Sequence, residues 1–164
     1  MGELTAGKQM KIKAALEETA ATLLGKMMFE FSRLDSELGL CVVWTNQGRE
    51  IEALTKQITD YAFHRKLEVL ANFLCHNYAE SAAPRVEYTA WLDRAHIARE
   101  KRNEMVHSRW YIDPIQRHVV SIIGLPTAHD QREVRYTVHD LKKILNELLQ
   151  LQIGLSRLRT EYPL

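Results

Sequence analysis

Residues 12–41 read IKAALEETAATLLGKMMFEFSRLDSELGLC, and the spacing of their apolar positions decides the fold class. Ile12, Leu16, Ala20, Leu23, Met27, Phe31, Leu34, Leu38 and Cys41 recur in steps of three and four, which keeps them on one face of a helix. No proline interrupts the stretch, and Gly25 and Gly39 each weaken it by about 1 kcal/mol relative to alanine. Thr45-Asn46-Gln47-Gly48 then reads as a connection.

Outward from this stretch the same period recurs. A second helix is expected over residues 50–78, with Ile51, Leu54, Ile58, Tyr61, Ala62, Leu70, Phe73 and Leu74 on its apolar face. Ser81-Ala82-Ala83-Pro84 is expected to end it, because proline disfavours helical geometry in the residue before it. A third helix is expected over residues 86–108, with a weaker stripe of Tyr88, Trp91, Leu92, Ala95, Ala98, Met105 and Val106. The period then shortens. Residues 110–112 and 118–123 are rich in aromatic and β-branched side chains and flank the turn signal Asp113-Pro114, so they read as two short strands. Val134-Arg135-Tyr136 reads as a third, and Gly124, Pro126 and the polar run around Asp130 as an exposed loop. A last helix starts near Thr137 or His139 and carries Val138, Leu141, Ile144, Leu145, Leu148, Leu149, Leu151, Leu155 and Leu158. The expectation is an all-α, four-helix bundle of long helices with a short β insertion over about residues 109–136, in a single domain covering residues 1–164. Two helices of roughly 45 Å exceed what a compact monomer of this length needs, which points to a homodimer.

The chain of 164 residues is 46% hydrophobic and 26% charged, the balance of a folded protein rather than a disordered one. Its net charge of +1 argues against a protein that coats nucleic acid through bulk charge, but leaves room for a local basic patch. Cys41 and Cys75 stand far apart and outside any CxxC pair, so neither a disulfide framework nor a cysteine zinc site is expected. The first 25 residues hold Glu3, Glu17 and Glu18 and no apolar h-region. No run approaches the ~20 apolar residues of a membrane span. A cytoplasmic location and no membrane partner are the expectation.

Chemistry is concentrated in Arg99-Glu100-Lys101-Arg102-Asn103-Glu104-Met105-Val106-His107-Ser108-Arg109. Between residues 94 and 109, five basic side chains against two glutamates leave a local excess of three positive charges. Asn103 and His107, four apart, share a helix face, and the long Arg102 side chain can wrap toward it. An imidazole that titrates near neutrality moves protons, a guanidinium fork holds a phosphate, and an amide orients either. The plain alternative is a solvated helix end, where histidine and arginine also favour the dipole.

Other patterns weigh less. Glu104 and His107 have the Glu-x-x-His spacing of di-iron bundles, but those need a second such pair and two further carboxylates, and the chain has no second pair. No HExxH, Walker or GxSxG sequence occurs, so no metal and no cofactor are expected. His96 with Glu100, and Asp60 with His64, read as surface contacts, Glu30, Glu37 and Lys66 as surface salt bridges, and Cys41 as a core residue.

Arg102-Asn103-Glu104-Met105-Val106-His107 resembles the Arg-x4-His signature of the HEPN superfamily, with a polar residue directly after the arginine and an apolar pair before the histidine. His107-Ser108-Arg109-Trp110 is similar to the His, small residue, then aromatic sequence that follows in many members. The place of the motif near the end of the third long helix adds to the likeness, while the β segment before the last helix departs from the minimal bundle. The resemblance implies a metal-independent endoribonuclease in which the RNA 2′-hydroxyl attacks the adjacent phosphate. His107 would transfer the proton or orient the substrate, Arg102 would hold the phosphate, and Asn103 would position one of them. Arg99, Lys101 and Arg109 would bind the RNA backbone. Such domains pair so that two motifs face one cleft. Relatives include toxins and antiviral effectors, which implies RNA, a second copy, and an antitoxin or regulatory protein as partners. Other members only bind, so a non-catalytic binding or scaffold module is the alternative, and a metal-binding bundle oxidase a distant third.

Overall fold

The apolar stripe that runs from Ala20 to Cys41 is the buried face of one uninterrupted helix, α1 (Ala6–Val43), of 38 residues. The computed structural model describes residues 5–164. Ala20, Leu23, Met27, Phe31, Leu34, Leu38 and Cys41 are buried, while Ile12 and Leu16 nearer the start are half-buried. At 1.5 Å per residue α1 is roughly 57 Å long.

The expected second helix is two helices, α2 (Ile51–Ile58) and α3 (Phe63–Asn77). The buried positions explain the break. Ile51, Leu54 and Ile58 follow one phase, and Phe63, Leu67, Leu70 and Leu74 follow another. The five-residue step from Ile58 to Phe63 turns the stripe by about 140°, which one straight helix cannot bury on one side. Ala62 takes extended backbone at ψ 156° and starts α3 afresh. The length argument for a dimer therefore keeps α1 but loses its second member.

α3 ends at Asn77, before Ser81, and Pro84 is not a terminator. It lies in the first turn of α4 (Ala83–His107), where a missing N–H leaves no hydrogen bond unmade. Three strands follow: β1 (Arg109–Asp113), β2 (His118–Ile123) and β3 (Arg132–Tyr136). They form an antiparallel sheet in the order β1-β2-β3, with Trp110 opposite Ser121 and Ser121 opposite Val134. The Asp113 carboxylate accepts the N–H groups of Ile115 and Gln116, each at 3.0 Å, and closes the first hairpin. The last helix, α5 (Val138–Glu161), is capped reciprocally: the Asp140 N–H donates to the Thr137 hydroxyl at 3.1 Å, and the Thr137 N–H to the Asp140 carboxylate at 2.8 Å. The described residues are thus mainly helical with a three-stranded sheet, and hold five α-helices rather than four.

The chain divides into two compact units, the chain through Phe29 with Lys101–Asn146, and Glu30–Glu100 with Glu147–Leu164. In the first unit the buried apolar side chains among the described residues are Ala20, Leu23, Met27, Met105, Val119, Val120, Tyr136 and Leu141. In the second, the Phe31 and Phe63 rings meet at 4.7 Å, and the Trp91 indole N–H donates to the Leu151 carbonyl at 2.9 Å. Gly154 lets α5 approach that indole, since a Cβ there would stand 3.3 Å from Trp91 Cδ1. Glu30 pairs with Arg33 at 2.7 Å and Glu37 with Arg159 at 2.9 Å, as salt bridges. Lys66, also read as a surface salt bridge, is instead a buried side chain paired with Asp35 at 2.8 Å. Neither Asp60 with His64 nor His96 with Glu100 makes an ion pair among the described residues, and Asp60 lies between α2 and α3 rather than on a helix with His64. Between α1 and α2, a short 3-10 turn (Thr45–Gly48) holds three successive left-handed residues, Asn46 at φ 54°, Gln47 at φ 59° and Gly48 at φ 70°. The two that are not glycine cost about 1–2 kcal/mol each.

Candidate active site on the last turns of α4

The last two turns of α4 are fixed by the sheet that follows them. The Trp110 indole N–H of β1 donates to the Met105 carbonyl at 3.0 Å. Lys101 Nζ donates to Glu104 at 3.4 Å and to the Tyr136 hydroxyl of β3 at 3.5 Å, and stands 5.7 Å from the centre of the Tyr136 ring. The Arg132 guanidinium of β3 ion-pairs with Glu104, and the Ser108 hydroxyl caps the Glu104 carbonyl. Trp110 and Tyr136 lie on one face of the sheet with their rings 5.9 Å apart.

These contacts orient the helix. Residues 101, 104, 105 and 108 fall on one side at about 100° per residue. Arg102, Asn103, Val106 and His107 therefore fall on the other side, and Asn103, Val106 and His107 are exposed. Asn103 and His107 stand about 40° apart around the axis, and Arg102 about 140° from His107. The Arg102 side chain shortens that separation, because its Nη1 donates to the Asn103 side-chain Oδ1 at 3.1 Å. The imidazole of His107 makes no hydrogen bond among the described residues. Val106, 45% exposed, sits between the polar members of this face.

The flanking cations are placed differently. Lys101 points to the sheet side with Glu104 and Tyr136. Arg109 begins β1 and donates to Gln131 at 2.7 Å. Arg99 is half-buried and pairs with its neighbour Glu100 at 3.4 Å. Partial burial raises the Glu104 carboxyl, and the hydrogen bonds and charges of Arg132 and Lys101 outweigh it, so its pKa lies below the usual glutamate value. Burial lowers the Lys101 ammonium while Tyr136 and Glu104 raise it further, and the balance is upward. Glu104, Arg132, Tyr136 and Trp110 are the supports that the sequence reading missed. Glu104 was in view as half of a Glu-x-x-His spacing, whereas Arg132 and Tyr136 carry no local signal at all.

Among the described residues no group of three or more histidine, cysteine, aspartate or glutamate side chains stands together, and no helix is long and apolar enough to cross a membrane. No family model, curated protein or solved structure matches the chain. The structure defines a class, a mainly helical protein whose three-stranded sheet fixes the end of one helix and leaves Asn103 and His107 exposed beside a half-buried Arg102.

Proposed function

We propose that the exposed face of α4 is the catalytic face of a metal-independent endoribonuclease of HEPN type. The observation that carries the reading is the Arg102 to Asn103 hydrogen bond one turn before an imidazole that makes no hydrogen bond among the described residues. Structural histidines are normally satisfied within the fold, whereas the contacts that anchor this helix end lie on its sheet side, at Lys101, Glu104, Met105 and Ser108. The imidazole of His107 takes the proton of the RNA 2′-hydroxyl or hands one to the leaving oxygen. The 2′-oxygen bonds to phosphorus, the bond to the next nucleotide's 5′-oxygen breaks, and a cyclic phosphate end remains. Arg102 faces the phosphate with its fork and stabilises the charge that develops there, and Asn103 holds Arg102 in place. A second copy supplies a second such face, and exposed Val106 gives the two copies an apolar point of contact.

The alternative is a HEPN-like module that binds without cutting, and one observation favours it: Lys101 and Arg109 are engaged internally, so the face carries fewer cations than the sequence implies. Incubating the protein with RNA in excess EDTA decides. Cleavage that survives chelation and yields cyclic phosphate ends supports the nuclease, in either a toxin or an antiviral setting. Retarded but intact RNA supports the binding module. Light scattering at micromolar concentration is expected to give twice the chain mass, and a monomer there counts against the paired site.

A further inference from the structure

The second unit holds a cavity of about 340 Å³ with no part in the chemistry proposed for α4. That volume lies at the lower end of the range of small-molecule sites. Its walls come from five places in the chain: Cys41 near the end of α1, Trp44 and Gln47 at the 3-10 turn, Tyr88 on α4, Arg159 on α5, and Pro163 with Leu164 after α5. Trp44 is 52% exposed although it is the largest apolar side chain of the segment. Its ring packs closely on Gly48, where a Cβ would stand 2.8 Å from Trp44 Cε3. The left-handed Asn46 and Gln47 bring the chain back so that the Gln47 N–H meets the Leu164 carbonyl at 3.2 Å. Two strained non-glycine residues are thus held in place to form one wall of a cavity.

The polar groups limit what fits. Arg159 is the only charged side chain among the described residues that line the cavity, and its Nη1 already serves Glu37 at 2.9 Å, which leaves the other donors of the fork. The Tyr88 hydroxyl donates to the Tyr162 carbonyl at 3.2 Å. Burial pushes the Cys41 thiol up to about 11, with Arg159 opposing, so at neutral pH it is a protonated and unreactive part of the wall. A phosphate would favour a second cation, and none lines this cavity among the described residues. A single carboxylate suits one partly occupied guanidinium, and a flat ring suits the exposed indole face.

We propose that this cavity is a binding site for a small aromatic carboxylate, its ring on Trp44 and its carboxylate on Arg159. The ligand is held without covalent chemistry. The test is calorimetric titration of the whole protein with 2-naphthoate and, separately, with the neutral 2-naphthylmethanol. One-to-one saturable binding of the acid is expected, with the alcohol at least tenfold weaker. Trp44→Leu, at an exposed position, should keep the melting temperature and lose tenfold or more in affinity. Arg159→Gln should lose as much for the acid and little for the alcohol, a difference that a general loss of structure would not produce. No saturable heat with the acid up to millimolar concentration, equal binding of acid and alcohol, or unchanged affinity in both variants overturns the proposal.

Discussion

Arg132 on β3 and Glu104 on α4 form an ion pair across 28 residues of chain, and with Lys101 on the other oxygen they tie the sheet to the helix that carries the candidate face. Glu104, Asp113 and Asp140 all have carboxyl pKa values below their ordinary ones in the folded protein. Such groups contribute stability that is present above the unfolded pKa of about 4 and is lost as pH falls through the folded value. The melting temperature should therefore drop on acidification below about pH 4, and Glu104→Gln should flatten part of that drop. Melting curves over an acid series for both proteins check this, and parallel curves would show that the pair adds no pH-dependent stability.

Replacing His107 with alanine should abolish RNA cleavage and leave the fold intact, because an exposed side chain without internal bonds costs within about 0.5 kcal/mol to truncate. Lys101→Ala should behave in the opposite way. It removes a contact with Tyr136 and Glu104 on the sheet side, so it should lower the melting temperature and keep most of the cleavage. Cleavage assays paired with thermal melts of the two variants separate the faces. A His107→Ala protein that melts far below wild type would make that histidine structural.

The long stripes of α1 and α5 were legible because their apolar steps stay regular, and the strands because β-branched residues cluster around a turn that Asp113 closes. The break between α2 and α3 was written in the sequence as a change of phase at Phe63, but Tyr61 and Ala62 kept the local apolar content high and concealed it. The shared face of Asn103 and His107 follows from a spacing of four. Which side of α4 meets solvent does not, since it depends on Trp110 reaching the Met105 carbonyl and Arg132 reaching Glu104 through the register of three strands. Long-range pairing of that kind leaves no periodic trace.

Lys66 and Asp35 test the second unit. The ammonium is buried and its partner is partly exposed, so removing the partner strands a buried charge. Asp35→Ala should cost about 2 kcal/mol or more, while Lys66→Met, which keeps the apolar stem, should cost clearly less. Urea unfolding of both variants gives the order, and equal losses would place the stabilising contribution in the side-chain packing of Lys66 instead.

Ser121, in the middle of β2, is 1% exposed, and its hydroxyl has no hydrogen-bond partner among the described residues. A buried hydroxyl without a partner costs about 1–3 kcal/mol. Ser121→Ala removes that group with little change of volume and should raise stability by about 1 kcal/mol, or roughly 2–4 °C in melting temperature. A lower melting temperature for the variant would mean that the hydroxyl is satisfied in solution, by water or by a shifted rotamer.

Arg102 decides whether the face recognises a phosphate by geometry or by charge alone. Its Nη1 donates to the Asn103 side-chain oxygen at 3.1 Å, which ties the guanidinium to the residue that shares a helix face with His107. A lysine has the charge but no planar pair of donors, and its ammonium cannot bond Asn103 and present two parallel N–H groups to a phosphate together. Arg102→Lys should therefore lose most of the cleavage, and Asn103→Ala, which frees the guanidinium without removing it, should lose less. A purely electrostatic role gives another pattern: Arg102→Lys close to wild type, and every loss of a cation weakening binding in proportion to salt. Single-turnover cleavage of a defined RNA by the wild type and both variants at two salt concentrations distinguishes the two. Near-normal rates for Arg102→Lys would reduce the face to a basic patch and remove the geometric basis for its catalytic role.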